Sequence, residues 1–294
     1  MSSSLATLTG FGAVLLWALL ALLTAATGQV PPFQLAAMSF AVAGLSGLAV
    51  TARRRGGLAR LAQPLPVMAL GVGGLFGYHF LYFSALRAAP AVEASLIAYL
   101  WPLLIVLGST LATGERLRAH HIAGALLGFA GAALLVTKGG TLSFEAQYGP
   151  GYALALAAAF VWSGYSVLSR RVAHVPTEAV AGFCLITALL ATLAHLAFET
   201  TVMPANATQW AAVLGLGLGP VGLAFFLWDI GVKRGDIAVL GAASYAAPLL
   251  STFILVAAGA AEATPTVAFA CLLITAGAAL AAKSMLFRGR SRLQ

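Results

Sequence analysis

The stretch Ala85–Leu104 (ALRAAPAVEASLIAYLWPLL) lies without a gap against Gly231–Leu250 (GVKRGDIAVLGAASYAAPLL). Arg87 meets Lys233, Tyr99 meets Tyr245, and Pro102-Leu103-Leu104 meets Pro248-Leu249-Leu250. Upstream, Trp17 and Pro31 find counterparts in Trp162 and Pro176 at nearly the same offset. Each half of the chain holds five apolar segments, and five is odd. A duplicated unit of five spans re-enters a membrane upside down, so the two units form an inverted repeat about an axis in the membrane plane. The expected units are residues 1–140 and 141–294, the second ending in a short basic tail. Such symmetry serves alternating access and offers a soluble enzyme nothing.

Composition agrees. Charged residues make up 8% of the chain and apolar ones 61%, and the mean hydropathy is +0.97, far outside the soluble range. Apolar windows long enough to cross a bilayer core of about 30 Å recur throughout. The pattern predicts an all-α polytopic membrane protein of ten spans. They fall near Leu5–Thr27, Phe33–Ala52, Val67–Ala88, Ala91–Thr113, His121–Thr137, Gly151–Ser169, Thr177–Phe198, Trp210–Gly231, Ile237–Gly259 and Thr266–Met285. The first span has no basic leader or small-residue cleavage site and reads as a retained helix.

With the N-terminus inside, the cytoplasmic links hold Arg53, Arg54, Arg55, Arg60, Arg116, Arg118, Arg170, Arg171, Lys233, Arg234, Lys283, Arg288, Arg290 and Arg292, against only Arg87 and Lys138 outside. That asymmetry places both termini in the cytoplasm. It also accounts for the net charge of +8, which can touch anionic lipid headgroups. Nucleic-acid binding would need the charge on a folded, water-facing surface. Cys184 and Cys271 both fall within spans and read as small packing residues, with no disulfide expected.

No phosphate-cradling loop exists, because none of Lys138, Lys233 and Lys283 follows a glycine, and the chain itself should hydrolyse no ATP. No Cys/His cluster has metal spacing, and no cofactor or metal is expected. Gly44-Leu45-Ser46-Gly47 spells the GxSG pattern of intramembrane serine proteases, with His195 as a conceivable base. Their places near opposite ends of their spans put them roughly 15 Å apart in depth, against the hydrogen-bond reach of about 3 Å that the chemistry needs. A non-transporting sensor is the other reading from a different class. It would need an output domain, and the short links leave no room for one.

Polar and ring-bearing residues at membrane depth are functional candidates, since each is costly in hydrocarbon. Tyr78, His79 and Tyr82 share one side of the third span near its midplane. They either line a cavity or pack that span. Their repeat counterparts are Ala224, Phe225 and Trp228, so symmetry does not demand the polar cluster. The fourth span brings Tyr99, Trp101 and Pro102 to similar depth, and the ninth repeats the device with Ser244, Tyr245 and Pro248. A proline frees the carbonyl four residues back and interrupts the helix. Paired interruptions in two halves point to a transport site. Tyr99 and Trp101 lie about 200° apart on an ideal helix, so they share a cavity only if the helix unwinds. Trp17 and Trp162 sit near the midplane, where they fill an interface or line the cavity. Pro102, Pro248, Gly74 and Pro220 are the candidate hinges, within glycine-rich third and eighth spans. Gly124 and Gly128 form a GxxxG in the fifth span, the one signal toward a tight helix pair within or between subunits, and hence toward a homodimer.

Two five-helix units, an aromatic-x-x-Pro-Leu-Leu stretch in the fourth and ninth spans, and an acid after each (Glu115, Glu262) resemble the drug/metabolite transporter superfamily of the ten-helix EamA type. Within it the chain is similar to the bacterial aromatic amino acid exporters of the YddG type. The resemblance implies a basket of helices around a central cavity, with the third, fourth, eighth and ninth spans foremost. It also implies export across the inner membrane, and a wall that includes Tyr78, His79, Tyr82, Tyr99, Trp101, Ser244 and Tyr245. The residues agree in character. Tyr, Trp and one His without a central charge suit a bulky neutral zwitterion. A dianion would need Arg or Lys at depth. A drug or other small metabolite is the alternative cargo on the same scaffold. His79 would bind the zwitterion by hydrogen bonds or, alternatively, carry protons.

Overall fold

The computed structural model describes residues 1–53, 57–113, 118–140, 144–257, 259, 264–281 and 283, with the main chain alone for 111–113. Arg54, Arg55, Glu115, Arg116, Glu262, Arg288, Arg290, Arg292 and the Met285 end of the tenth span lie outside these. The described residues form helices and links. In chain order the spans are α1 (Ser3–Ala26), α2 (Pro32–Ala52), α3 (Leu65–Ala88), α4 (Ala91–Thr110), α5 (Ala119–Thr137), α6 (Ala146–Val172), α7 (Ala179–Phe198), α8 (Ala207–Arg234) and α9 (Ile237–Ala257), followed by the shorter apolar helix α10 (Pro265–Ala281). Helices are the form a chain takes when the surroundings offer the backbone no hydrogen bonds. Large apolar side chains such as Leu189, Leu193, Leu196 and Leu272 remain exposed on the outside of the bundle.

Local chemistry sets the helix starts. Asn206 and Asp236 cap α8 and α9 by accepting from Gln209 N and from Ala238 N and Val239 N, which satisfies first-turn N–H groups. The start of α2 is capped from a distance. The two carboxylate oxygens of Glu199 each accept from a main-chain N–H, of Phe33 and Gln34, at 3.0 Å. There a negative charge meets the positive end of the helix.

Among the described residues five spans are interrupted, four of them in matched pairs. In α3 the helix widens to a π turn at Gly73–Gly77, and in α8 at Gly219–Leu223. These starts are as far apart as Arg87 is from Lys233. The α4 helix breaks between Ala98 and Trp101, and α9 between Ala243 and Ala246. Pro102 and Pro248 follow each break and lack the N–H that would continue it. At the first, the Leu103 N–H instead donates to the Tyr245 hydroxyl at 3.2 Å. The fifth interruption, in α1 between Trp17 and Leu20, has no equivalent in the continuous helix of α6.

Small residues bring helices close. Gly10 of α1 and Gly231 of α8 face each other so closely that a Cβ on either would meet the other's Cα. Gly124 and Gly131 of α5 meet Gly277 and Ala270 of α10, and Gly128 lies under the ring of Tyr245. The GxxxG of α5 is therefore used inside this chain, and the homodimer expectation loses the signal that raised it.

Successive antiparallel spans gather Arg53, Arg60, Arg118, Arg170, Arg171, Lys233, Arg234 and Lys283 at one end of the bundle and Arg87 and Lys138 at the other.

Candidate functional site

Four indoles meet at the middle of the bundle. Trp17, Trp101, Trp162 and Trp228 are in mutual contact, with all six centroid distances between 5.0 and 6.3 Å. Phe225 joins Trp17 and Trp162 at 6.2 and 5.7 Å. Most of these pairs are tilted or edge-to-face, the geometry the ring quadrupole favours. The break in α4 is what allows Trp101 to reach this cluster while Tyr99 faces another way.

The four N–H groups are not equivalent. Trp17 Nε1 donates to the Pro220 carbonyl in the π turn of α8 at 3.0 Å. Trp228 Nε1 donates to Ser166 Oγ at 3.1 Å, and that hydroxyl donates to Trp162 O. The indole N–H groups of Trp101 and Trp162 have no acceptor among the described residues. Neither is among the fully enclosed polar atoms that lack a partner, so both N–H groups remain accessible as donors.

Toward the Arg87 end the rings become half-buried. Tyr78, His79, Tyr82 and Tyr99 all keep partial exposure, as does Trp17. Tyr78 stacks on Tyr82 at 5.8 Å and leans on Trp162 at 5.5 Å, and the Tyr82 hydroxyl pairs with Ser95 Oγ at 2.9 Å. His79 is ringed by Phe40, Tyr78, Phe83 and Phe225. Its Nδ1 lies 2.7 Å from the Leu75 carbonyl. A carbonyl only accepts, so Nδ1 carries the proton, and in the neutral ring Nε2 is left as an acceptor. The donor-and-acceptor role read from sequence thus narrows to an acceptor. Tyr78, His79, Tyr82, Trp162, Trp17 and Trp101 form one aromatic surface through successive ring contacts that ends on the indole cluster, whereas Tyr99, half-buried on α4, makes no ring contact among the described residues.

Tyr245 and Ser244 lie elsewhere. Tyr245 is fully buried in a second cluster with Val106, Ala125 and Ile274, its ring over Gly128 and its hydroxyl on Leu103 N–H. Ser244 is also fully buried, and its hydroxyl donates within the helix to Leu240 O. The two tyrosines diverge for a steric reason. In the repeat, the place of Gly128 is taken by Ile274, so Tyr99 has no seat like that of Tyr245 and stays half-buried. Gly74 and Pro220 sit in the two π turns, and Pro102 and Pro248 follow the two breaks.

Trp228 was legible as the counterpart of Tyr82. Its part in the cluster has no local mark, because its partners Trp17, Trp101 and Trp162 lie in three other spans.

The bundle is tighter toward the Lys233 end. Of Tyr78–Ala88 only Ala85 is buried, whereas the equivalent Ala224–Arg234 buries Ala224, Phe225, Trp228, Asp229, Gly231, Val232 and Lys233. A cleft of about 10 Å³ beside Tyr165, Ser169, Asp229 and Lys233 has room for about one water.

The protease pair is not assembled. Ser46 Oγ donates to Val42 O within α2. His195 pairs with Glu199 and Thr201 at 3.0 and 2.8 Å at the far end of α7. Among the described residues no group of three or more His, Cys, Asp or Glu is placed to hold a metal.

Comparison with known proteins adds the following. A model of the EamA-like transporter family matches twice, over residues 4–137 and 149–283. The chain is 57% identical over 282 residues to the aromatic amino acid exporter YddG of Ancylobacter novellus, covering 96% of this chain and 98% of that one. It is 26% identical to the protein of the same name from Salmonella typhimurium, over 86% and 88% of the two chains. A probable terminal-alkyne amino-acid exporter of Streptantibioticus cattleyicolor is 30% identical over 79% of this chain and 81% of its own length. One crystal structure superposes with a TM-score of 0.91 at 56% identity, covering 95% of this chain and 98% of that one.

Proposed function

The chain belongs to the EamA-like transporter family, and on that premise we propose that it exports aromatic and other neutral amino acids across a bacterial inner membrane. The export is ATP-independent and proceeds by alternating access of two inverted five-helix repeats. The aromatic surface carries this reading. It offers rings for an aromatic side chain and holds no Arg, Lys, Asp or Glu that would select a net charge. The named relative at 57% identity supports the same cargo.

A zwitterion needs a donor set and an acceptor set a few ångströms apart. The free N–H groups of Trp101 and Trp162 supply donors for the carboxylate. His79 Nε2 and the hydroxyls of Tyr78 and Tyr99 supply acceptors for the ammonium. Hydrogen bonds to charged groups are worth about 1.5–3 kcal/mol each, enough to fix orientation without a countercharge.

Tyr99→Ala removes a half-buried ring that makes no hydrogen bond among the described residues. Phenylalanine flux into proteoliposomes should fall by about tenfold, at about 1.4 kcal/mol, with the protein still monodisperse. Equal loss of folded protein would assign Tyr99 to packing instead. His79→Gln keeps an acceptor and should retain measurable flux, whereas His79→Ala should lose more. Wild-type flux from both variants would remove α3 from the site.

Support for the inverted repeat comes from the family model's two matches and from the paired π turns and breaks. The basic end is then cytoplasmic, both termini included, and the less tightly packed end of the aromatic surface faces outside. Single cysteines at Gly28 and Thr200, without Cys184 and Cys271, should react with an impermeant thiol reagent added to intact cells. One at Arg55 should not. The opposite pattern would reverse the topology.

A further inference from the structure

Two cations at equivalent places are held in different ways. Lys233 Nζ lies 2.8 Å from Asp229 Oδ1, with the two side chains 4% and 2% exposed, and donates to the Val175 carbonyl at 3.0 Å. Thr177 Oγ1 donates to the other carboxylate oxygen of Asp229 at 2.7 Å. Arg170 of α6 donates to the carbonyls of Val232 and Gly235. These bonds tie the last turn of α8 to α6 and to the α6–α7 link, and they close the bundle at that end.

In the repeat, Arg87 stands for Lys233, and Val30-Pro31 stands for Val175-Pro176. A residue before proline is held extended, and the proline after it has no N–H. Each half thus places a cation at a span end and a Val-Pro carbonyl in the link after its first span. At the Arg87 end the pair is not made. Arg87 is exposed, and its guanidinium donates instead to the Phe198 carbonyl at 3.3 and 3.4 Å. One part of the device has no counterpart at all: the place of Asp229 is taken by Phe83.

We propose that Lys233 on Val175 and Arg87 on Val30 are alternating latches, and that Asp229, present on one side only, biases the resting protein toward the state closed at Lys233. The proposal rests on the alternating-access reading above. Opening the Lys233 end requires the buried ion pair to leave its seat for water. Opening the other end breaks only an exposed cation's hold on a carbonyl. Removing the Asp229 charge leaves Lys233 buried without its countercharge, which favours the hydrated, open state of that end. An ion pair that merely fastened α8 in every state would shift no balance.

The test uses the full chain with Cys184→Ala and Cys271→Ala, purified in detergent so that a charged methanethiosulfonate reagent reaches both ends. Ser169→Cys reports the Lys233 end, where Ser169 is 3% exposed. Ser95→Cys reports the half-open end beside Tyr82. Asp229→Asn should raise the modification rate at position 169 by about tenfold and lower it at position 95. Arg87→Gln, an exposed change that the fold tolerates, should lower the rate at 169 and slow phenylalanine exchange. Combining the two should bring the ratio of rates back toward the parent's. Unchanged rates in Asp229→Asn, or a rise at both positions together, overturn the latch, as does an Arg87→Gln protein indistinguishable from its parent. If the parent exchanges phenylalanine while these shifts are missing, the latch alone fails. If the parent exchanges none, the transport reading fails and takes the latch with it.

Discussion

Trp101→Ala should lower phenylalanine flux by about 100-fold at subsaturating substrate. Ring contacts contribute about 0.5–1.5 kcal/mol each and a hydrogen bond to a carboxylate about 1.5–3 kcal/mol. Their loss comes to about 3 kcal/mol, or roughly two factors of ten. Trp101 is 7% exposed, so its truncation also weakens the indole cluster, and folding must be checked by size-exclusion chromatography. Trp101→Phe separates the effects. It keeps a smaller ring in the cluster and loses the free N–H with part of the indole's area, so flux should fall about tenfold with folding intact. Trp17→Phe loses an N–H already spent on Pro220 and should affect stability more than affinity. If Trp101→Phe transports like the parent, the carboxylate has another donor.

The second large effect is on the fold. Gly231→Leu should sharply reduce the yield of monodisperse protein. At the α1–α8 crossing, a Cβ on Gly231 would meet the Gly10 Cα, with the side chain of Leu240 alongside. A main-chain neighbour cannot rotate away, so the helices must separate. Overpacking costs about 1–3 kcal/mol even where side chains can adjust. Gly73→Ala, with nothing within 4 Å of the added carbon, is the control and should fold normally. Normal yield of Gly231→Leu would contradict the close crossing.

What could be read from the sequence follows from how far apart the cooperating residues lie. Spans are local: a run of apolar residues ends at a proline, glycine or charge, and among the described residues the expected segments match the helices to within about five residues. The α4 and α9 breaks were local as well, since Pro102 and Pro248 each lack an N–H. The glycine clusters of α3 and α8 were seen as points of bending, but their form as π turns was not, because a glycine licenses several geometries. The break in α1 has no local mark in the sequence. Its neighbour Trp17 is hooked to Pro220, a partner in the other half of the chain. Tyr245 shows the same limit. Its motif matches that of Tyr99, yet its seat depends on Gly128 in a helix far away in sequence, and the matching seat is filled by Ile274. Repeat alignment made the two tyrosines equal, and packing made them different.

The central claim is secondary transport of aromatic amino acids, and counterflow in proteoliposomes tests it most directly. Vesicles loaded with unlabelled phenylalanine, diluted into a trace of labelled phenylalanine without ATP or any ion gradient, should transiently concentrate the label. Excess tryptophan should compete; excess of a doubly charged sugar phosphate should not. Label that never exceeds its level in protein-free vesicles would contradict the account.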